Sequence, residues 1–170
     1  MRMHCSLALS ALLGVPVHAA EMALKVEIPR LSVAEYHRPY TALWVERADR
    51  AFATNLAVWY DLNKKDNEGT KWLKDMRQWW RKSGRELQMP VDGLSGATRA
   101  PGEHALVFDA GKSVLGALPA GDYALVVEAA REGGGREVLR LPFQWPPTAA
   151  QHASARGGNE LGTVTLDLRP

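Results

Sequence analysis

The chain has 170 residues, enough for one domain with a proper core, and carries 21 basic against 19 acidic side chains. That near-balance argues against a nucleic-acid binder, whose domains are strongly basic. The single cysteine, Cys5, lies in a segment expected to be removed, which excludes disulfides, a thiol nucleophile and cysteine-ligated iron–sulfur clusters from the mature chain.

The first 19 residues read as a signal peptide. Arg2 supplies the positive start, Leu7 to Val17 the apolar centre, and Val17-His18-Ala19 the small-residue pattern that precedes cleavage. Cys5 lacks the small-residue context of a lipoprotein site. The apolar run is too short to span a bilayer and no later run is long enough, so the expectation is an exported, soluble chain starting near Ala20, with no membrane insertion. Residues 20–170 are then read as a single domain.

From there the pattern is that of a β-protein. Met22, Leu24, Val26 and Ile28 alternate with Lys25 and Glu27, the period of two expected of a half-buried strand. Thr41 to Glu46 and Asn55 to Asp61 are apolar, aromatic-rich runs joined by a polar turn at Asp49. His104 to Asp109 follows. Asp122 to Ala129 and Arg136 to Gln144 flank Gly133-Gly134-Gly135 as a hairpin, and Val164, Leu166 and Leu168 close the chain in alternation. The Ala/Ser/Gly-rich segment from Thr148 to Asn159 reads as a loop. Short strands separated by turns predict a mainly β fold, an antiparallel β-sandwich of immunoglobulin or fibronectin type. Leu118, Gly121 and Tyr123 resemble the corner of such sandwiches, in which a Tyr hydroxyl bonds back to the main chain.

One segment departs from this period. Trp72, Leu73, Met76, Trp79 and Trp80 recur at helical spacing, Asn67 or Thr70 is placed to cap the start, and Ser83-Gly84 supplies a stop, predicting one inserted amphipathic α-helix near 68–83. An aromatic stripe of this kind is ordinarily core. Three tryptophans exceed what a short helix needs, however, and large aromatic faces suit a planar ligand. The segment is also basic, with Lys64, Lys65, Lys71, Lys74, Arg77, Arg81, Lys82 and Arg85 against four acids. Such a run is ordinarily a solvated face, but beside a phosphate it would neutralise charge.

Directly downstream stands Asp92-Gly93-Leu94-Ser95-Gly96-Ala97-Thr98, in a loop expected over 90–101. As dipeptides, Asp-Gly and Ser-Gly are ordinary turn residues. In combination they offer a hydroxyl with little bulk around it: Gly93, Gly96 and Ala97 leave room for another enzyme's cleft, and Asp92 and Ser95 can shape the turn. The seven residues resemble the acceptor pattern D-G-x-[S/T]-G-A-[S/T] of bacterial proteins that carry covalent FMN outside the cytoplasm. The resemblance implies that Thr98 is esterified to the FMN phosphate by an FAD:protein FMN transferase, with Asp92, Gly93, Ser95, Gly96 and Ala97 forming the recognised site. Arg99, next in the chain, is the expected phosphate contact. The motif also occurs in flavin-bearing subunits of sodium-pumping quinone reductases and related ferredoxin-linked complexes, to which this chain shows no other likeness.

Beyond the motif, the exported chain is similar to domain-of-unknown-function family 2271, predicted periplasmic bacterial proteins. The likeness is carried by Leu24 to Pro39, with Val26-Glu27-Ile28-Pro29-Arg30 and Tyr36-His37-Arg38-Pro39-Tyr40, then Trp59 to Asn63, Lys71 to Gly84, the motif itself, and Leu118 to Glu128. It implies a periplasmic setting among membrane-bound reductases with peptidase-propeptide-like domains, FMN transferases and iron-uptake receptors. An electron carrier serving metal or siderophore reduction follows, with no catalytic acid or base and no metal site of its own. Tethering would keep the cofactor from being lost by diffusion. Two other readings compete: an exported non-catalytic binding module with Thr98 unmodified, and a hydrolase with Ser95 as nucleophile and His37, His104 or His152 as base. The hydrolase is the weaker, because Asp-Gly-Leu-Ser-Gly lacks the strand-to-helix elbow that exposes such a serine.

Overall fold

The computed structural model describes residues 19–170, so that all of the expected signal peptide except Ala19 lies outside the described residues. The strand β1, Glu21–Ile28, buries Met22, Leu24, Val26 and Ile28 on one face, as its alternation requires. It lies in a four-stranded antiparallel sheet in the order β5-β1-β9-β8, where β5 is Gly102–Asp109, β8 Gln151–Arg156 and β9 Thr163–Arg169.

The second sheet has five strands in the order β4-β3-β2-β6-β7: β2 is Tyr40–Arg47, β3 Phe52–Tyr60, β4 Ser95–Ala97, β6 Gly121–Ala130 and β7 Arg136–Trp145. Its pairs are antiparallel apart from β3–β4, which is parallel. The hairpin around the glycines is present, its turn closed by Arg131 N–H donating to the Gly135 carbonyl, with Gly133 at φ +64. The Tyr123 hydroxyl donates to the Pro119 carbonyl at 2.8 Å, the corner bond anticipated from Leu118 to Tyr123.

One apolar cluster joins the sheets, with Leu24, Val26, Val164 and Leu166 from the first meeting Leu43, Val45, Leu125 and Leu141 from the second. A second cluster covers the outer face of the five-stranded sheet, where Trp44, Val58, Tyr60 and Val126 pack under Leu73, Met76 and Trp79. Strand β2 is therefore buried on both faces, which is why it reads as a continuous apolar run rather than an alternation.

Two expectations are corrected. The segment over 68–83 is not one α-helix: residues Lys65–Asp75 form a 3-10 stretch with Asp66 and Asn67 at positive φ, Met76 breaks it at ψ 73, and only α1, Arg77–Lys82, is α-helical. The physical cause lies on β6. Glu128 is fully buried and accepts from Gln78 N–H at 3.0 Å and Trp79 N–H at 2.8 Å, so the otherwise orphaned amides at the start of α1 are satisfied at a fixed point on the sheet. Arg136 pairs with the same carboxylate at 2.8 Å. Neither Asn67 nor Thr70 caps this start; Thr70 Oγ1 instead donates to the Asn67 carbonyl. The expected loop from Thr148 to Asn159 contains β8, whose inward residues Ala153 and Ala155 pack on the core. Alanine is small enough to leave little hydrophobic signal in the sequence.

Candidate functional site

The Asp92–Thr98 segment starts in a turn and continues as an edge strand. Leu94 and Ser95 N–H both donate to the Val91 carbonyl, at 3.2 and 2.9 Å, and the turn takes Gly93 to φ +73, where a side chain would be strained. Ser95 Oγ accepts from Val91 N–H at 2.9 Å and so fastens the turn from the other side. The chain then runs beside β3. Val58 N–H donates to the Leu94 carbonyl at 2.8 Å, Ser95 to Ala97 align with Val58 to Tyr60, and Thr98 N–H donates to the Tyr60 carbonyl at 3.1 Å. The stretch expected as a loop over 90–101 thus contains a short strand and is held at both ends of the motif by backbone bonds.

Each motif residue has a distinct place. Asp92, Gly93 and Ala97 are exposed, while Ser95, Gly96 and Thr98 are half-buried. A Cβ on Gly96 would stand 3.1 Å from the Trp59 ring and 3.8 Å from the Arg99 guanidinium, so glycine leaves that contact open. Arg99 itself lies 5.0 Å over the Trp59 ring in a cation–π contact, and His104 meets the same ring edge-on.

The motif separates two hollows. Asp92, Gly93 and Leu94 border one of about 810 Å³ together with Phe52, Val107 and Val114. Thr98 borders the other, of about 600 Å³, within the usual range for a small-molecule site. Strand register assembles this second cavity at one end of the five-stranded sheet. Tyr60 pairs with Ala97, Thr41 with Trp59, and Tyr40 with Ala130, so Thr98, Asp61, Tyr40 and Arg131 follow one another across strand ends. Tyr36, His37 and Arg38 enter from the segment before β2, and Trp72 and Asp75 from the 3-10 stretch.

The cavity is lined by both signs of charge. Lys64 Nζ lies 3.0 Å from Asp61 Oδ2, a bond that raises the lysine further above its ordinary pKa. Arg131 is committed to Glu160 at 2.8 Å in a pair that is almost fully buried. His37 sits between Glu35 at 3.2 Å and Glu132 at 3.8 Å. Arg38 is exposed on the same wall. Tyr40 donates its hydroxyl to the Gly69 carbonyl at 3.1 Å, and burial, followed by the charge of Asp61, pushes its phenol far up. Burial likewise raises Tyr36, although Arg131 pulls the other way; its hydroxyl is buried without a hydrogen-bond partner among the described residues.

Of the three tryptophans in the inserted segment, Trp72 alone lines this cavity, and it is 49% exposed. Trp79 is fully buried with its indole N–H donating to Asn55 Oδ1 at 2.9 Å, and Trp80 lies against it with ring centres 6.4 Å apart. Much of the local basic run is paired: Lys71 with Glu68, Lys82 with the buried Glu46, Arg85 with Glu86. The three histidines considered as bases bond elsewhere, His104 to the Ala100 carbonyl and His152 to Asp167, while His37 holds the two glutamates. Ser95 Oγ, fastening its own turn, has none of them as a partner among the described residues.

Tyr36, His37, Arg38, Tyr40 and Arg131 carry no sequence motif that ties them to Thr98; strand register and the segment before β2 bring them to its cavity.

Among the described residues no helix is long and apolar enough to cross a membrane. Comparisons with curated proteins and with solved structures found no match. Residues 21–163 match DUF2271, described as a predicted periplasmic protein. With most of its length inside that match, the chain belongs to the DUF2271 family and is periplasmic.

Proposed function

We propose that this protein is a periplasmic electron carrier whose FMN is joined covalently to Thr98 by an FAD:protein FMN transferase. The observation that carries the reading is the position of Thr98: the last residue of the acceptor-like motif opens onto a cavity of about 600 Å³ that offers Trp72, Tyr36 and Tyr40 as aromatic surface and Lys64 and Arg38 as cations. In the attachment step the Thr98 hydroxyl oxygen bonds to the FMN phosphorus of FAD. The pyrophosphate P–O bond breaks, AMP leaves, and the hydroxyl proton passes to the transferase. Thr98 needs no base of its own, since such transfer rests on positioning and metal-borne charge neutralisation in the transferase.

When bound, the flavin supplies the redox chemistry. The chain's own residues hold the acceptor strand against β3, keep the turn at Gly93 and place cations beside the attachment point. Arg99, stacked on Trp59, braces the exit of the motif. The proposed donor is a membrane-bound reductase with peptidase-propeptide-like domains, and the proposed task is reduction of metal or siderophore complexes in iron uptake. The fold that carries the site is read as an immunoglobulin- or fibronectin-like sandwich, supported by the two sheets sharing one core and by the Tyr123 corner.

Coexpression with an active transferase tests the proposal. The purified protein should be yellow and keep its flavin after denaturation, because a phosphoester does not depend on the fold. Thr98→Ala should be colourless and Thr98→Ser partly labelled. A colourless wild type leaves the exported non-catalytic binding module as the better account.

A further inference from the structure

We infer that the cavity beside Thr98 is a docking pocket for the isoalloxazine ring, with Trp72 as its stacking side chain; this rests on the flavin-carrier reading above. The ring is therefore held by the carrier rather than swinging freely on its tether.

The path follows from the register. Thr98 stands at the sheet edge, and Asp61, Tyr40 and Arg131 succeed it at the ends of the next three strands, a span of roughly 14 Å at ordinary strand spacing. A ring system on a ribityl chain is long enough to lie along it. Lys64, held 3.0 Å from Asp61, lines the same cavity as Thr98. Beyond it the floor is Tyr40, whose hydroxyl bond to Gly69 anchors the 3-10 stretch that carries Trp72.

Trp72 is the feature without another explanation. The neighbouring Leu73, Met76 and Trp79 all point into the core, whereas Trp72 leaves half its surface open on the cavity wall. Stacking a planar ring on it would bury that surface in an aromatic pair. Tyr36 also lines the cavity, and its hydroxyl is buried without a hydrogen-bond partner among the described residues.

The probe is the attached flavin itself, read by steady-state fluorescence and anisotropy on the denaturation-resistant holoprotein. Wild type should fluoresce weakly, with an anisotropy close to that of the whole tumbling protein. Trp72→Ala should keep the same covalent stoichiometry but become several-fold brighter and lower in anisotropy, and Trp72→Phe should fall between. A wild-type flavin that is attached yet bright and freely rotating, or one unmoved by Trp72→Ala, overturns ring docking and leaves attachment standing. If no flavin is attached in any variant, the carrier reading fails and takes this inference with it.

Discussion

Thr98 differs from Ser95, the other hydroxyl of the motif, in what surrounds it. Ser95 Oγ is occupied by Val91 N–H, whereas Thr98 uses its backbone N–H to hold β3 and turns into the cavity. Ser95→Ala should therefore cost about 1 kcal/mol of stability, by the usual worth of a hydrogen bond, and slow labelling without abolishing it. Chemical denaturation alongside flavin stoichiometry reads both. Gly93→Ala forces a Cβ into φ +73 and should cost roughly 1–2 kcal/mol. Here the sequence was informative, because Asp-Gly and Ser-Gly are turn residues and the order of the seven is unusual. What it could not show is that Lys64, Trp72, Tyr36 and Arg131 line one cavity with Thr98, since the separations along the chain are bridged only by the fold.

At the scale of the element, the inserted segment divides its tryptophans between two tasks. Trp79→Ala removes a fully buried indole and its bond to Asn55, and should destabilise by about 3–5 kcal/mol. Trp72→Ala should leave the unfolding midpoint nearly unchanged, because half of that side chain is already in solvent. Equal losses in urea titrations of the two variants would contradict this division. The helical period at Trp72, Leu73, Met76 and Trp79 was legible as an amphipathic stripe. The break at Met76 was not, because its cause is Glu128, about fifty positions away on β6. Strand β8 escaped notice for a different reason: Ala153 and Ala155 fill a thin part of the core where a larger side chain would not be needed. The short β4 was hidden too, its Ser-Gly-Ala composition being that of a loop, with only backbone bonds to β3 making it a strand.

Across the whole molecule, the alternation in β1 and β9 and the apolar, aromatic-rich runs at Thr41 to Glu46 and Asn55 to Asp61 imply a mainly β fold, and the two sheets with their shared core agree. At the same end of the sheet as the cavity, the connection before β9 is held by a half-buried carboxylate on β7. Burial of Glu137 would raise its carboxyl, but the backbone amides of Gly158, Leu161, Asn159 and Glu160 outweigh it and hold the group below its ordinary value of 4.5. A carboxylate with a depressed folded pKa contributes stability that is fully present above the unfolded value and is lost as pH falls through the folded one. Thermal stability should accordingly decline as pH drops below about 4.5, and Glu137→Gln should be less stable at neutral pH with a flatter acid limb.

The flavin claim is the central one, and it is tested most directly on a single peptide. Trypsin releases Glu86–Arg99, which contains the whole motif and has Ser95 and Thr98 as its hydroxyl side chains. After coexpression with an active transferase, denaturation and digestion, fragment masses should place one FMN phosphoryl group on Thr98. An unmodified peptide, or the label on Ser95, would contradict the account.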